Sequence, residues 1–530
     1  MNYVLLIIVL FSYGCSPNHD KKIKDYKAGI ISFNDSIPPI YVAGNFSDTN
    51  ENVFDSTIIK QFFDSNPALN IIKNYVEKFY SIRHYSCAWL NNGKISEQAN
   101  ILFNRIIYIN DHDIFYDAPY LEDYKRIMTQ NEYDSSFTNE LMISVQYFYF
   151  AKVALSGINE SESKSTAWYI PRKKIDYVNL LNQLITNNED HLNSTLYPQY
   201  YKLLEYLEKY STINEQNQWE KLSIPKTKFI IGDTAAIIQK IRKNLFIAGD
   251  LLINNQSKML DDELKKAIQS FQERYGIKND GIIGRKFVEE MNVPIKERIE
   301  TILVNIERCK WLPNETESEY IIVNIPEFKL TAFNKEEIVF KCNVVVGKST
   351  NKTIIFKGDM KYIVFSPYWN VPESIIKKEI FPKMKKNVSY LEQNNMEWND
   401  GKIRQRPGET NSLGLVKFVF PNNYNIYLHD TPAKSLFSEE RRTFSHGCIR
   451  ISEPIKMIKF LLKEDTLWND QKIYQAMYSG KERHLKLAKN IPVYIVYFTS
   501  FVDEQGKLNF RKDIYNRDEN LKKMIFKQLK

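Results

Sequence analysis

Ile426–Ser452 reads IYLHDTPAKSLFSEERRTFSHGCIRIS, and this stretch decides both the fold and the chemistry. Its opening suits a strand running from Asn425 to His429. Ile426 and Leu428 then share one face, and Tyr427 and His429 the other. Further on, His446, Gly447, Cys448, Ile449 and Arg450 stand in succession. In extended form they put His446, Cys448 and Arg450 on one face, with Gly447 leaving the backbone open beside the thiol. Ser452 and Pro454 then open a helix carrying Ile455, Ile458, Leu461 and Leu462.

A cysteine nucleophile needs a thiolate, and an imidazole nearby takes the proton. The stretch supplies one cysteine and two histidines. A helix start just after the cysteine favours negative charge there. Backbone N–H groups at Gly447 and Cys448 suit an oxyanion, and Arg450 suits a carboxylate in bidentate geometry. His429, His446 and Cys448 are also three zinc-type ligands, but no fourth stands at metal spacing. A buried cysteine with two incidental histidines is the remaining structural reading.

Outward from this stretch the apolar period is two. Ile338, Phe340, Cys342, Val344 and Val346 alternate, and Met360–Phe365 and Val493–Phe501 also read as strands. Gln505-Gly506 suggests a hairpin turn. Between Pro372 and Pro421 lies a polar, lysine-rich insertion whose length suits a lid rather than a simple connection. Upstream the period becomes helical. Asp233 is placed to cap a helix through Ile237, Ile241 and Leu245 that closes at Gly249. A second helix carries Leu264, Ile268, Phe271 and Tyr275 and closes at Gly276. The turn Asp280-Gly281 leads to a third, through Phe287 and Met291. Before that, Ile71, Tyr75, Phe79 and Ile82, then Leu141, Val145 and Tyr149, keep helical spacing. His84, His112 and His191 are scattered there and form no constellation.

The chain opens with a short apolar run, Val4–Phe11, which is too brief to span a bilayer. It ends at Gly14-Cys15 ahead of a polar stretch, as in a lipoprotein-type signal that would lipidate Cys15. Export to a bacterial periplasm, with a membrane anchor, is the expectation. No later segment reads as transmembrane. The 530 residues carry 72 basic and 64 acidic side chains, a net +8 that does not announce a nucleic-acid binder. Five cysteines exclude a disulfide-built scaffold. Cys342 is expected as a buried thiol, while Cys87 and Cys309 are unassigned and one long-range disulfide among the three is left open.

Ser445-His446-Gly447-Cys448 with His429 upstream resembles the signature of L,D-transpeptidases with a YkuD-type catalytic domain. Trp369-Asn370-Val371-Pro372, Gln405, Pro407-Gly408, Asn411, Leu413-Gly414, Lys417-Phe418 and Phe420-Pro421-Asn422 extend the likeness. Phe271-Gln272, Gly276, Asp280-Gly281 and Met291-Asn292 resemble a small peptidoglycan-binding module. Phe79-Tyr80, Arg83, Tyr85, Trp89 and Tyr197-Pro198-Gln199-Tyr200 resemble a helical scaffold domain. Ile306-Glu307-Arg308 with Trp311-Leu312-Pro313 resembles a linker strand.

The resemblance implies a multidomain α+β chain. Its parts are a signal segment (1–15), a tether (16–55), a helical scaffold (56–225), a three-helix peptidoglycan-binding-like module (226–295) and a linker (296–317). A mostly-β catalytic domain (318–510, cap about 372–421) and a tail (511–530) follow. It implies Cys448 as nucleophile, His429 as its base and the Asp430 carbonyl as the group orienting that imidazole. His446 and Gly447 would shape the oxyanion side. Arg450, Ser445, Tyr427, Trp369 and Asn370 would contact substrate or support the loop. No cofactor, metal or nucleic acid is implied. The implied partners are peptidoglycan stem peptides and glycan, with wall-synthesis proteins a further possibility, and the implied product is a direct crosslink between third-position diaminopimelate residues. Trimming by the same site as an L,D-carboxypeptidase, attachment of protein to wall, and an inactive lipid-anchored tether are the alternatives.

Overall fold

The computed structural model describes residues 52–91, 94–112, 119–129, 136–187, 196–313, 318–335 and 337–527. Cys15, His191 and most of the tether lie outside the described residues. The chain is the mixed helical and β protein expected, helical up to Lys310 and β-rich from Glu319.

The helical part is built around Phe137–Ser156. That helix and its continuation are long and apolar enough to cross a membrane. Yet Leu141, Val145, Tyr147, Phe148 and Ala151 are fully buried by neighbouring helices, as in a helix that is apolar all round inside a core. One acid sits on it without exposure, Glu140. Its carboxylate accepts the N–H groups of Ala88 (2.5 Å), Trp89 (3.0 Å) and Leu90 (2.9 Å) and the Tyr80 hydroxyl (2.7 Å). Tyr80 and the Trp89 indole also meet Ser144 Oγ, at 2.6 and 2.7 Å. Burial raises the carboxyl pKa, and these four donors oppose that by favouring the charged form. Tyr80 and Trp89 are thus core polar groups with partners, the only condition under which burial is cheap.

Three helices follow at Ala236–Ala248, Asp262–Arg274 and Arg285–Met291. Gly249 closes the first with φ +85°. Asp233 does not cap it. The helix starts after Ala235, and the Asp233 carboxylate instead accepts Ile230 N–H at 2.8 Å, stabilising the preceding turn. Gln272 holds the Asp280-Gly281 turn through Gly281 N–H (2.7 Å) and Asp280 Oδ1 (3.0 Å).

Two expectations fail here. The linker strand is a helix, Ile295–Lys310, because Ile302, Ile306 and Cys309 recur at helical spacing with Pro294 ahead of it. It is buried against both parts of the chain. Asn305 accepts Thr499 N–H (3.0 Å) and donates to its hydroxyl (2.8 Å), and Arg308 pairs with Asp518 at 2.7 Å. The tail is likewise structural. Asp518–Lys527 is a helix that buries Leu521 and Ile525. Gln199 binds both backbone groups of Val502 (2.7 and 2.8 Å), as a neighbouring strand would.

The β part is one sheet that closes on itself. Lys329–Asn334 pairs with both Glu319–Asn324 and Glu337–Gly347. Round the barrel from there come Ile449–Ile451, Leu428–His429, Val416–Val419, Phe356–Phe365 and Arg483–Val496, which returns to Glu319–Asn324. Alternation fills the interior with Ile321, Leu330, Val344, Ile363, Phe418, Leu428, Ile449 and Ile495, all fully buried. Val416–Val419 is a barrel strand, so the cap ends before it rather than at 421. The cap has its own core of Val371, Ile375, Ile376, Ile380, Met396 and Ile403, over a sheet of Trp369–Asn370, Lys402–Gln405 and Met396–Asn399. Asn411 fastens its return to the carbonyls of Pro367 (3.1 Å) and Arg406 (2.8 Å).

Candidate active site

The parallel pairing of Leu428–His429 with Ile449–Ile451 builds the site. Leu428 sits opposite Ile449 and both point inward. Hence their neighbours point outward, and His429 stands opposite Arg450 on the outer face of the barrel. Lys417 is the antiparallel partner of His429 on its other side. Tyr427 and Cys448, one step back on each chain, complete the group, with Ile449 N–H donating to Tyr427 O at 3.2 Å. The expected strand is shorter than 425–429, because Asn425 turns with φ +55°. Its carbonyl accepts the Cys448 thiol at 3.6 Å.

His429 is buried, and its Nδ1 lies 2.5 Å from the Asp430 carbonyl. That bond fixes Nδ1 as the protonated nitrogen and leaves Nε2 as the basic one. Asp430 is itself held. Its carboxylate accepts Leu415 N–H at 3.0 Å and pairs with Lys434. Gly414, with φ +63°, allows this approach, since a Cβ there would lie 2.4 Å from Asp430 Oδ2. Burial, then the Arg450 guanidinium, lowers the His429 imidazole to about 3, so it is neutral at neutral pH. Cys448 is half-buried. Burial raises its thiol, while Tyr427, Lys417 and Arg450 favour the thiolate.

Lys417 has no counterpart among the motif residues expected to act. Its Nζ lies 3.9 Å from the Tyr427 ring centroid, and burial lowers its pKa while Cys448 opposes that. The sequence marks it only within the Lys417-Phe418 likeness, and cross-strand register is what brings it beside His429.

The Ser445–Cys448 loop corrects three expectations. Gly447 takes φ +123°, so the chain bends and His446 leaves the row formed by Cys448 and Arg450. His446 is exposed and binds Glu379 in the cap instead. Gly447 N–H is taken by Ser445 Oγ at 3.1 Å, and Ser445 donates to Cys448 O at 2.5 Å. Of the two N–H groups expected to face an oxyanion, Cys448 N–H alone makes no hydrogen bond among the described residues. The helix after the cysteine starts at Pro454, as its sequence indicates, but the Ile449–Ile451 strand separates that start from the thiol. Its first turn lies by Cys342, whose thiol burial raises to about 11 against opposing bonds from Glu453 and Ser452.

Trp369 and Asn370 stand on the cap. Trp369 packs on the cap core and Asn370 is exposed opposite Arg404. Cys87, Cys309, Cys342 and Cys448 are all free thiols, which closes the disulfide question among the described residues. A cleft of about 1700 Å³ lies between the three-helix module and the barrel, lined by Arg274, Arg298, Lys329, Arg442 and Arg511 among others. It contains neither Cys448 nor His429.

Residues 318–473 match the family model described as the L,D-transpeptidase catalytic domain. The chain carries an L,D-transpeptidase catalytic domain. Residues 74–210 match a scaffold domain model. A Haemophilus influenzae protein named "Putative L,D-transpeptidase" is 28% identical over 241 residues, 42% of this chain and 48% of its own. The chain thus spans about half the length of the curated relative it matches. Among solved structures, an L,D-transpeptidase from Stackebrandtia nassauensis is 14% identical, with TM-score 0.23, over 52% of this chain and 97% of its own. One from Mycobacterium smegmatis is 13% identical, with TM-score 0.20, over 34% and 58%. Within the L,D-transpeptidase domain the thiol, imidazole and cation described above share one outward face.

Proposed function

We propose that this protein is a peptidoglycan L,D-transpeptidase. The observation that supports it most is the cross-strand group of Cys448, His429 and Arg450, with the imidazole oriented by the Asp430 carbonyl. In this reading the Cys448 sulfur attacks the carbonyl that joins the third residue of a donor stem tetrapeptide to its terminal D-alanine. His429 Nε2 takes the thiol proton and delivers it to the departing amine. D-Alanine leaves, and a thioester remains on Cys448. The side-chain amine of diaminopimelate on a second stem then attacks, giving up a proton to His429, and the thiol is regenerated. Two acyl transfers replace one harder step. Arg450 and Tyr427 face the reacting group and suit stem carboxylates, while the cap limits water, which favours an amine over hydrolysis. Export and lipidation at Cys15 would place the enzyme in the periplasm beside its polymeric substrate.

The test is incubation with purified tetrapeptide muropeptides, followed by mass spectrometry. The expected product is a crosslinked dimer with loss of D-alanine, absent for a folded Cys448→Ala variant. A dimer formed equally by that variant overturns the reading. Tripeptide as the only product would mark an L,D-carboxypeptidase.

A further inference from the structure

Thr353 is fully buried, on the loop between the Glu337–Gly347 and Phe356–Phe365 strands. Its hydroxyl donates to the Gly447 carbonyl at 2.9 Å and accepts Gly347 N–H at 2.9 Å. Its own N–H donates to the Tyr515 hydroxyl at 3.3 Å, and its carbonyl accepts Arg517 Nη2 at 3.1 Å. Tyr515, also buried, donates to Gly347 O at 2.6 Å. Its backbone N–H is held by the Tyr497 hydroxyl at 2.9 Å, which in turn donates to Asp513 at 2.5 Å. Every polar atom of the Thr353 residue therefore has a partner, and one of those partners is the peptide group that precedes the Cys448 sulfur.

That peptide is planar and trans, so its C=O and N–H point in opposite directions. Holding Gly447 O on the Thr353 side aims Cys448 N–H to the other side. Gly447 N–H and Cys448 O are both engaged by Ser445, so of the Gly447 and Cys448 amides it is Cys448 N–H that is left unengaged. We infer that Thr353, seated by Tyr515, is a positioning residue that fixes Cys448 N–H as the oxyanion donor for acyl transfer. The inference rests on the acyl-transfer reading above. It assigns the C-terminal segment, Asp513–Arg517, a part in the reaction that neither composition nor motif suggested.

The experiment compares two reactions at the same sulfur. Acylation by a carbapenem passes through an oxyanion; alkylation by iodoacetamide does not. Thr353→Val keeps volume and removes the hydroxyl. It is expected to slow acylation by about tenfold to a hundredfold, less than outright loss of an oxyanion donor, since the N–H is misaimed and not removed. Alkylation should stay within about twofold, because no oxyanion forms in that displacement. Thr353→Ser should restore acylation to within about threefold, since it keeps the donor. Acylation of Thr353→Val at the wild-type rate, or an equal fall in both reactions, overturns the inference. Should Thr353→Val fail to fold, Tyr515→Phe applies the same split, with an expected acylation loss of about threefold to tenfold; equal effects on both reactions again overturn it. A wild-type protein that resists the carbapenem overturns the acyl-transfer reading itself, and that result is visible before any variant is compared.

Discussion

His446 Nε2 lies 2.7 Å from Glu379 Oε1, so a side-chain hydrogen bond joins the Ser445–Cys448 loop to the cap. Glu379 sits in a widened turn, Ile376–Ile380, in which the helix takes π-type spacing, a local irregularity common at functional sites. Both side chains are partly exposed, so the contact suits a latch that opens rather than a fixed strut.

Glu379→Ala should therefore loosen the cap. Water would then compete better for the thioester, and the ratio of tripeptide to crosslinked dimer should rise about threefold or more. Product analysis by mass spectrometry at matched conversion reads this ratio directly. An unchanged ratio would mean that the contact does not govern closure.

Lys417→Met removes the cation beside Tyr427 and Cys448 while keeping length. Thiolate formation should become harder, so alkylation and acylation of Cys448 should both fall about tenfold, equivalent to one unit of thiol pKa. This joint loss differs from the split expected at Thr353. Retention of both rates would remove Lys417 from the site's electrostatics.

The neutral state of His429 predicts a pH profile. A thiolate–imidazolium pair would give rapid alkylation from acid pH upward. Here the imidazole is held near 3 and the thiol is raised, so iodoacetamide reactivity should stay low through pH 5–7 and climb only toward and beyond 9. A plateau already reached at pH 6 would refute the neutral pair. Stability follows the same group. The unfolded chain protonates His429 near 6.5 and the folded chain refuses the proton until about 3. The contribution is thus present above 6.5 and is lost as pH falls, by about 2 kcal/mol at pH 5. Denaturant titrations of wild type and His429→Gln at pH 7 and 5 should show that difference.

Glu140→Ala should destabilise the helical part by about 3 kcal/mol or more, since three buried N–H groups and a tyrosine hydroxyl lose their acceptor. Chemical denaturation should show a lower midpoint. Glu140 hydrogen-bonds none of the active-site residues, so the acylation rate per folded molecule should not change.

Much of this was legible in the chain. His429 and Cys448 were readable as a candidate pair because thiol chemistry needs those groups, and the structure brings their two segments side by side. Cys342, Val344 and Val346 were readable as core because a half-buried strand alternates. The Ile295–Lys310 helix was misread as linker and the Asp518–Lys527 helix as tail because each buries a face whose partner is remote in sequence, Thr499 for the one and Arg308 for the other. Glu140 gave no signal, because an acid in an apolar helix becomes meaningful only when the Ala88–Leu90 backbone closes over it.

The sequence by itself determined the candidate reacting groups and the alternation that puts them outside the barrel, since side-chain chemistry and a period of two are local properties. Only the tertiary structure decided how those groups are aimed. Lys417 meets His429 by register, Glu379 reaches His446 across the cap, and Thr353 with Tyr515 holds the Gly447 carbonyl. These are contacts between residues 12 to 162 positions apart, and hydrogen bonds act only over about 3 Å. Nothing but closure of the barrel and docking of the C-terminal segment brings them within that distance.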